Sequence, residues 1–316
     1  MKSAVAITGG YGYLGGRFAE FFSSTGHDVR LLARRASQRR PAWSHDMAVA
    51  ELNLDDIGAL TAGFRGADTI VHLAAMNASA CAEDPAAARR VNVEGTRNVI
   101  RAAGDAGVSR LIYMSTAHVY GAPLVGNLNE ASPPGNPHPY AQTHLDAEAV
   151  VTGAETVDGI VFRLSNAVGA PMGAAANCWM LVANDLCRQA AMGDVLTLRS
   201  SGEEPRDFIP ISEANRIVGR YLGLNAVPKD APILNLAAGT SMRTLDLAHL
   251  IADRAKARTG RVLTVIQAPR NQQAPAWFEL SNDLLSTGGV HIDGNLENEI
   301  DRCLDACEVW FGHAEG

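Results

Sequence analysis

The sequence is short of lysine: only Lys2, Lys229 and Lys256 occur in 316 residues. No lysine ammonium is available anywhere in the long central stretch. Cysteine is sparse and odd in number, and Cys81, Cys178, Cys187, Cys303 and Cys307 form no zinc or redox spacing. Cys303 and Cys307, four apart, read as one face of a helix. A basic excess is also missing: 27 Lys and Arg stand against 34 Asp and Glu, a net charge of -7. That excludes the basic face a nucleic-acid partner needs. No apolar run reaches membrane-spanning length, which removes a membrane partner. No internal repeat, low-complexity tract or metal-ligand set stands out. A glycine-rich stretch begins eight residues from Met1 and leaves no room for a leader, so the expected compartment is cytoplasmic. The remainder, 47% hydrophobic and 19% charged, suits a globular enzyme with one large α/β domain and an appended lobe.

That stretch, Thr8-Gly9-Gly10-Tyr11-Gly12-Tyr13-Leu14-Gly15-Gly16, follows the apolar run Ala4–Ile7 and opens a helical pattern ending near Gly26. Strand, glycine turn and helix together form the context of a dinucleotide fingerprint. Glycines tighten the turn and let backbone approach a pyrophosphate, and the helix N-terminus offers unpaired N–H groups. Gly9, Gly12, Tyr13, Leu14 and Gly15 are the expected cofactor contacts. The second strand, Val29–Ala33, ends without the acidic residue that selects NAD; Arg34 and Arg35 follow, with Arg39 and Arg40 close behind. Guanidinium groups there suit the 2′-phosphate of NADP; a solvated basic loop is the plainer alternative.

Glu51–Asp55 reads as a short third strand and its turn, with Asn53 and Leu54 facing the adenine or Asn53 simply forming the turn. Asp68–Ala75 reads as a buried parallel strand whose small end, Leu73-Ala74-Ala75, a cofactor can pass closely. His72 inside it reads as a satisfied core histidine. A helical pattern from Asp84 to Ala106 carries Asn92. A fifth strand, Arg110–Thr116, leads into Ala117-His118-Val119-Tyr120-Gly121, and after a Pro/Gly/Asn-rich loop another helix starts at Tyr140.

In order and spacing, TGGYGYLG, HLAA, NVEGT, STAHVYG, PYAQTHLDAE, FRLSNAVG, RDFIPI and LNLAAG resemble the extended short-chain dehydrogenases/reductases. More narrowly, they resemble the NAD-dependent epimerase/dehydratase superfamily that modifies nucleotide sugars. The resemblance covers most of the chain and thins after about residue 270. It implies an α/β fold: a doubly wound parallel (Rossmann) sheet with a smaller α+β substrate lobe near the C-terminus. The expected division is 1–168 plus 210–238 for the dinucleotide-binding domain and 169–209 plus 239–316 for the lobe, with a homodimer as the expected assembly.

By the same resemblance, Thr116 and Tyr140 bracket the reacting carbonyl or hydroxyl, the Tyr passing the proton while nicotinamide passes the hydride. Asn92, Tyr140 and residue 144 belong to the cofactor site; Asn77, Asn166, Arg206 and Arg270 belong to the substrate site. Arginine suits a diphosphate because its fork reaches two oxygens, though Arg206 could instead pair with Asp207. One position departs from the pattern. The family motif is Tyr-x-x-x-Lys, and here the last residue is His144. Histidine is shorter and, with an ordinary pKa of about 6.5, mostly neutral near pH 7. A slower redox enzyme, a rewired acid/base site and a non-catalytic NADP(H)-binding protein all follow from that change. His118 stands where sugar-nucleotide dehydratases keep an acid/base Glu, and Ala117 where they keep an Asp; a backbone-bonded loop histidine is the other reading. The expected function is an NADP-dependent oxidoreductase or epimerase on a nucleotide-linked sugar, foremost a 4-keto-sugar reductase. The alternative is an epimerase or dehydratase with retained NAD.

Overall fold

A computed structural model of the chain describes residues 2–36, 38, 40–222, 232–269 and 276–312. Arg39 and Arg270 lie outside the described residues. The first half alternates strand and helix: β1 (Ala4–Thr8), α1 (Tyr13–Ser24), β2 (Asp28–Ala33), β3 (Ala48–Glu51), α2 (Ile57–Phe64) and β4 (Thr69–His72). Next come α3 (Ala78–Glu83), α4 (Pro85–Arg89), α5 (Gly95–Ala106), β5 (Arg110–Thr116), β6 (Gly126–Leu128), α6 (Pro139–Thr152) and β7 (Asp158–Leu164). The second half holds β8 (Asn166–Val168), α7 (Val182–Met192), β9 (Val195–Thr197), β10 (Pro205–Pro210), α8 (Ile211–Leu222) and β11 (Ile233–Leu236). It ends with β12 (Ser241–Arg243), α9 (Thr244–Thr259), β13 (Thr264–Ile266), β14 (Phe278–Leu280), α10 (Asp283–Thr287) and α11 (Leu296–Phe311).

Seven strands form one parallel sheet in the order β11-β7-β5-β4-β1-β2-β3. Burial on both faces explains their near-continuous apolar sequences. On one face α1 and α8 cover the sheet through Phe18, Phe22, Ile217 and Val218; on the other, α2, α5 and α6 do so through Leu60, Phe64, Val99 and Val151. Strand order reverses between β1 and β4, and the crevice beyond their carboxyl ends is where doubly wound sheets take ligands. The other strands form small sheets, β12-β10-β8, β13-β9 and β14-β6. A separate core of α7, α9 and α11 packs around Leu186, Leu247, Ile251 and Ile300. Cys303 and Cys307 lie buried on one face of α11, as their spacing suggests.

The third strand is shifted from its expected place. It spans Ala48–Glu51, and Asn53 bends the chain out of the sheet by accepting the Asp55 N–H at 3.1 Å. Asp56 then caps α2. The long helix expected over Asp84–Ala106 is interrupted by a π-turn at Arg90–Glu94, which swings Asn92 inward. No helix among the described residues is long and apolar enough to cross a membrane.

Candidate active site

At the switch point, Thr8 Oγ1 lies 2.7 Å from His72 Nδ1 and accepts the N–H groups of Leu73 (3.1 Å) and Ala74 (3.3 Å). His72 Nε2 meets Thr96 Oγ1, whose own proton goes to the Asn92 carbonyl, so both ring nitrogens are satisfied. Burial lowers the His72 pKa to about 4. This is the core histidine its apolar strand suggested. Gly9 adopts φ +70°, and a Cβ there would stand 3.1 Å from the Ala74 nitrogen. A Cβ on Gly15 would stand 2.4 Å from the Gly9 carbonyl oxygen. Only glycine lets the turn pack this closely on itself and on the end of β4 at the start of α1. No side chain caps that helix at Gly12, so its first-turn N–H groups remain for a ligand. These residues fit a dinucleotide pyrophosphate. Tyr13 points its hydroxyl away, to the carbonyls of Ala167 and Gly169, and Leu14 packs on the core. Their contribution to such a ligand is backbone, not side chain. Among the described residues no cluster of His, Cys, Asp or Glu is arranged to hold a metal.

The far end of this crevice holds a charge that the sequence reading missed. Ala33 on β2 pairs in register with Glu51 on β3. Glu51 turns its carboxylate across the end of β2 and accepts the N–H groups of Arg35 at 2.5 Å and Ala36 at 2.9 Å. Tyr11 closes the same loop from the glycine turn, its hydroxyl donating to the Ala36 carbonyl at 3.2 Å. Arg34 and Arg35 are exposed. The loop after β2 is thus not simply basic: an acid is bound into it, and two N–H donors that a phosphate could use are already taken.

Thr116 ends β5, and its hydroxyl lies beside Tyr140 in the first turn of α6. Burial raises the Tyr140 pKa, and the Thr116 hydrogen bond only partly offsets it. The two elements are held together by Asn136, another residue that sequence reasoning overlooked. Its amide nitrogen donates to the His118 carbonyl at 2.7 Å, and its Oδ1 accepts the His138 N–H. His138 in turn caps α6 by accepting the Tyr140 N–H.

His144 lies one turn along α6, 3% exposed, its ring edge-on to Tyr140 with centroids 4.5 Å apart. Its Nδ1 is 2.7 Å from the Tyr113 hydroxyl, while Nε2 is buried without a partner. Burial, then the nearby His72 and His118, lowers its pKa to about 3. It is a neutral group at any physiological pH. His118 is exposed beside the site; the protein around it, then Arg206 and His138, lowers its pKa too.

Arg206 does not pair with its neighbour. Asp207 is fully buried and binds the N–H groups of Ala238 (2.9 Å) and Gly239 (2.9 Å), its pKa pushed up to about 6 by burial. Arg206, half-buried near His118, makes no ion pair among the described residues, and its Nε is unpartnered. Asn166 donates to the Asp207 carbonyl and fastens β8 to β10.

Several expected contacts are committed elsewhere. Asn92 accepts the Met76 N–H and donates to Thr143, so both ends of its amide are engaged inside the protein. Asn77 caps α3, Asn53 forms its turn, and Leu54 packs beneath Gly95. Ala75 is exposed just beyond β4.

A glycine turn at a helix N-terminus thus stands beside a threonine and a tyrosine, an arrangement suited to a dinucleotide-dependent enzyme. The chain belongs to the NAD dependent epimerase/dehydratase family, which it matches over residues 5–237. It is 25% identical over 297 residues to the UDP-glucose 4-epimerase of Streptomyces lividans, covering 87% of each chain. It is 29% identical over 273 residues to dTDP-6-deoxy-L-talose 4-dehydrogenase (NAD(P)(+)) of Kitasatospora kifunensis, covering 84% of this chain and 82% of that one. In fold it is similar to MoeE5 in complex with UDP-glucuronic acid and NAD, with a TM-score of 0.78, 19% identity and coverage of 96% and 98%. It is an NAD(P)-dependent enzyme of the extended short-chain dehydrogenase/reductase class that modifies nucleotide sugars.

Proposed function

We propose that the chain is an NAD-dependent nucleotide-sugar epimerase or dehydratase in which the cofactor is reduced and reoxidised within one turnover. The observation that carries the choice of NAD is the Glu51 carboxylate bound into the loop after β2. It supports NAD over the NADP that Arg34 and Arg35 suggest, because a 2′-phosphate there would face a like charge with two backbone donors already spent. Similarity to UDP-glucose 4-epimerases supports the reaction class. The substrate would lie in the cleft between the sheet-bearing unit (1–168 plus 210–238) and the lobe (169–209 plus 239–316). Arg206 faces its diphosphate there.

When bound, the nicotinamide accepts or returns the hydride. The protein's part is to move one proton at the sugar oxygen. Tyr140 keeps its proton near neutral pH and serves as the donor, with Thr116 orienting the same oxygen. His118, neutral and exposed, takes a proton in the oxidising half and returns it to the Tyr140 phenolate once the ketone is reduced, so the turnover leaves both groups as they began. A 4-keto-sugar reductase is a second reading, favoured by one fact. A tyrosine that holds its proton is already the acid that ketone reduction needs.

The test is the nucleotide released on denaturing the freshly purified protein, read by mass spectrometry. NAD or NADH is expected; NADP or NADPH would overturn the choice and favour the reductase.

A further inference from the structure

We propose that His138 is a positioning residue for Tyr140. Its neutral imidazole holds the first turn of α6 in place, and a proton on the ring releases it. The inference rests on the role given to Tyr140 above. The sequence here is Asn136-Pro137-His138-Pro139-Tyr140. Pro139 opens the helix and has no N–H, so Tyr140 carries the first amide hydrogen that needs an acceptor. A residue before proline is confined to extended backbone, and His138 has φ -64° and ψ 136°. In that conformation its Nδ1 accepts the Tyr140 N–H at 3.1 Å, and its carbonyl accepts the Gln142 N–H at 3.0 Å. Asn136 fixes the histidine from behind by taking its N–H on Oδ1 at 3.0 Å. The Gln142 side chain closes the turn, donating to the Asn136 carbonyl at 2.6 Å.

Serine, threonine or asparagine in this place caps a helix with an oxygen that does not titrate. An imidazole nitrogen accepts only while bare, so the bond to Tyr140 requires a neutral ring with its hydrogen on Nε2. A proton on Nδ1 sets one donor against another, and the cap is lost. His138 is half-buried, so solvent supplies that proton. The titratable and charged groups around it are Tyr140 on the same helix, His118 on the turn after β5 and, beside His118, Arg206 on β10. Among the described residues its ring makes no hydrogen bond or ion pair with a carboxylate. The amide released belongs to Tyr140 itself, so the phenol loses its fixed place beside Thr116. Acid thereby disarms the site without touching the reacting atoms.

The test is an NMR titration of the whole protein from pH 8 to pH 5, with ¹⁵N in tyrosine and histidine. The chain has six tyrosines, so the spectrum is sparse, and Tyr140→Phe identifies the amide in question. Wild type is expected to show a bare Nδ1 on His138 at pH 8. Its Tyr140 amide should shift with the same midpoint as the His138 ring. In His138→Asn, where a preferred cap that does not titrate takes over, that amide should stay still. It should still shift in His118→Gln, which sets the neighbouring histidine aside. Hydrogen on Nδ1 at pH 8 would overturn the proposal. So would a Tyr140 amide that ignores the charging of His138, or one that shifts equally in His138→Asn. With UDP-glucose as substrate, kcat should fall about fivefold through the His138 midpoint, the usual weight of one cap. His138→Asn should remove that acid limb with KM unchanged, and an identical limb in the variant would also overturn the proposal. No turnover of UDP-glucose would count against the proposed reaction instead, because the amide readings need neither sugar nor cofactor.

Discussion

At the scale of single residues, the site exchanges a fixed cation for neutral hydrogen bonds. His144 cannot hold a charge in its pocket, and Tyr140, with its pKa raised, keeps its proton. Tyr140→Phe is expected to lower kcat by about 10²–10⁴-fold, the usual range for losing a general acid, with cofactor affinity nearly unchanged. Steady-state rates and a binding titration on the same variant separate the two effects. Glu51 is the second residue with a clear consequence. Replacing it by Gln removes the charge but keeps a hydrogen-bonding amide. The preference for NAD over NADP should then shrink by about tenfold, or ~1.4 kcal/mol. Calorimetric titration of cofactor-free protein with both nucleotides checks it; an unchanged ratio would remove Glu51 from the selection. The contacts of Glu51 and Tyr113 were not legible in the sequence. Glu51 meets its partners across a β2–β3 register, 15 and 16 residues away, and Tyr113 meets His144 across 31. The motif positions, by contrast, are local, and the family resemblance points to Thr116, Tyr140 and the glycines without the fold.

At the scale of elements, the site is only as well placed as the joint of β5, β7 and α6. A buried ion pair pins that joint. Arg163 on β7 meets Glu148 on α6 at 2.6 Å, with side chains 4% and 2% exposed. Glu148 also accepts the Ser115 hydroxyl at 2.5 Å, one residue before Thr116. Arg163 lies over the Tyr120 ring, whose hydroxyl donates to Asn235. Glu148→Ala would leave Arg163 charged, buried and unpaired. It is expected to cost about 3–5 kcal/mol of stability in urea unfolding. A loss below about 1 kcal/mol would mean water or rearrangement replaces the pair. The alternation of strands and helices, and so the main sheet, was readable because each element carries its own apolar period. The end of β3 was not. Asn53 and Asp56 remove the chain from the sheet through side-chain bonds that hydrophobic pattern does not record. The small β12-β10-β8 sheet was hidden for another reason: its partners come from segments more than 30 residues apart.

At the scale of the whole molecule, buried titratable groups give stability a defined pH dependence. His72 and His144 have folded pKa values of about 4 and about 3, below the roughly 6.5 of an unfolded chain. As pH falls below ~6.5, the unfolded chain binds protons that the native protein refuses, and stability is lost until those lower values are reached. Asp207, raised to about 6, acts in the opposite direction between that pH and its unfolded value of ~3.9. Between pH 6 and 5 the two histidines outweigh the one aspartate by about one proton, up to ~1.4 kcal/mol per pH unit. Urea midpoints across that range should fall toward acid in wild type and fall clearly less steeply in His144→Gln, where His72 and His118 remain. Above these effects stands the chemistry of the assembled cleft, and one assay reads it directly. The freshly purified protein, given UDP-glucose and UDP-galactose with no nicotinamide added, is followed by NMR of the sugar ring. Conversion of sugar without net change in cofactor oxidation state, lost in Tyr140→Phe, is the expected result. No conversion of either sugar there, with a 4-keto sugar converted only once NADPH is added and in strict proportion to it, would contradict it.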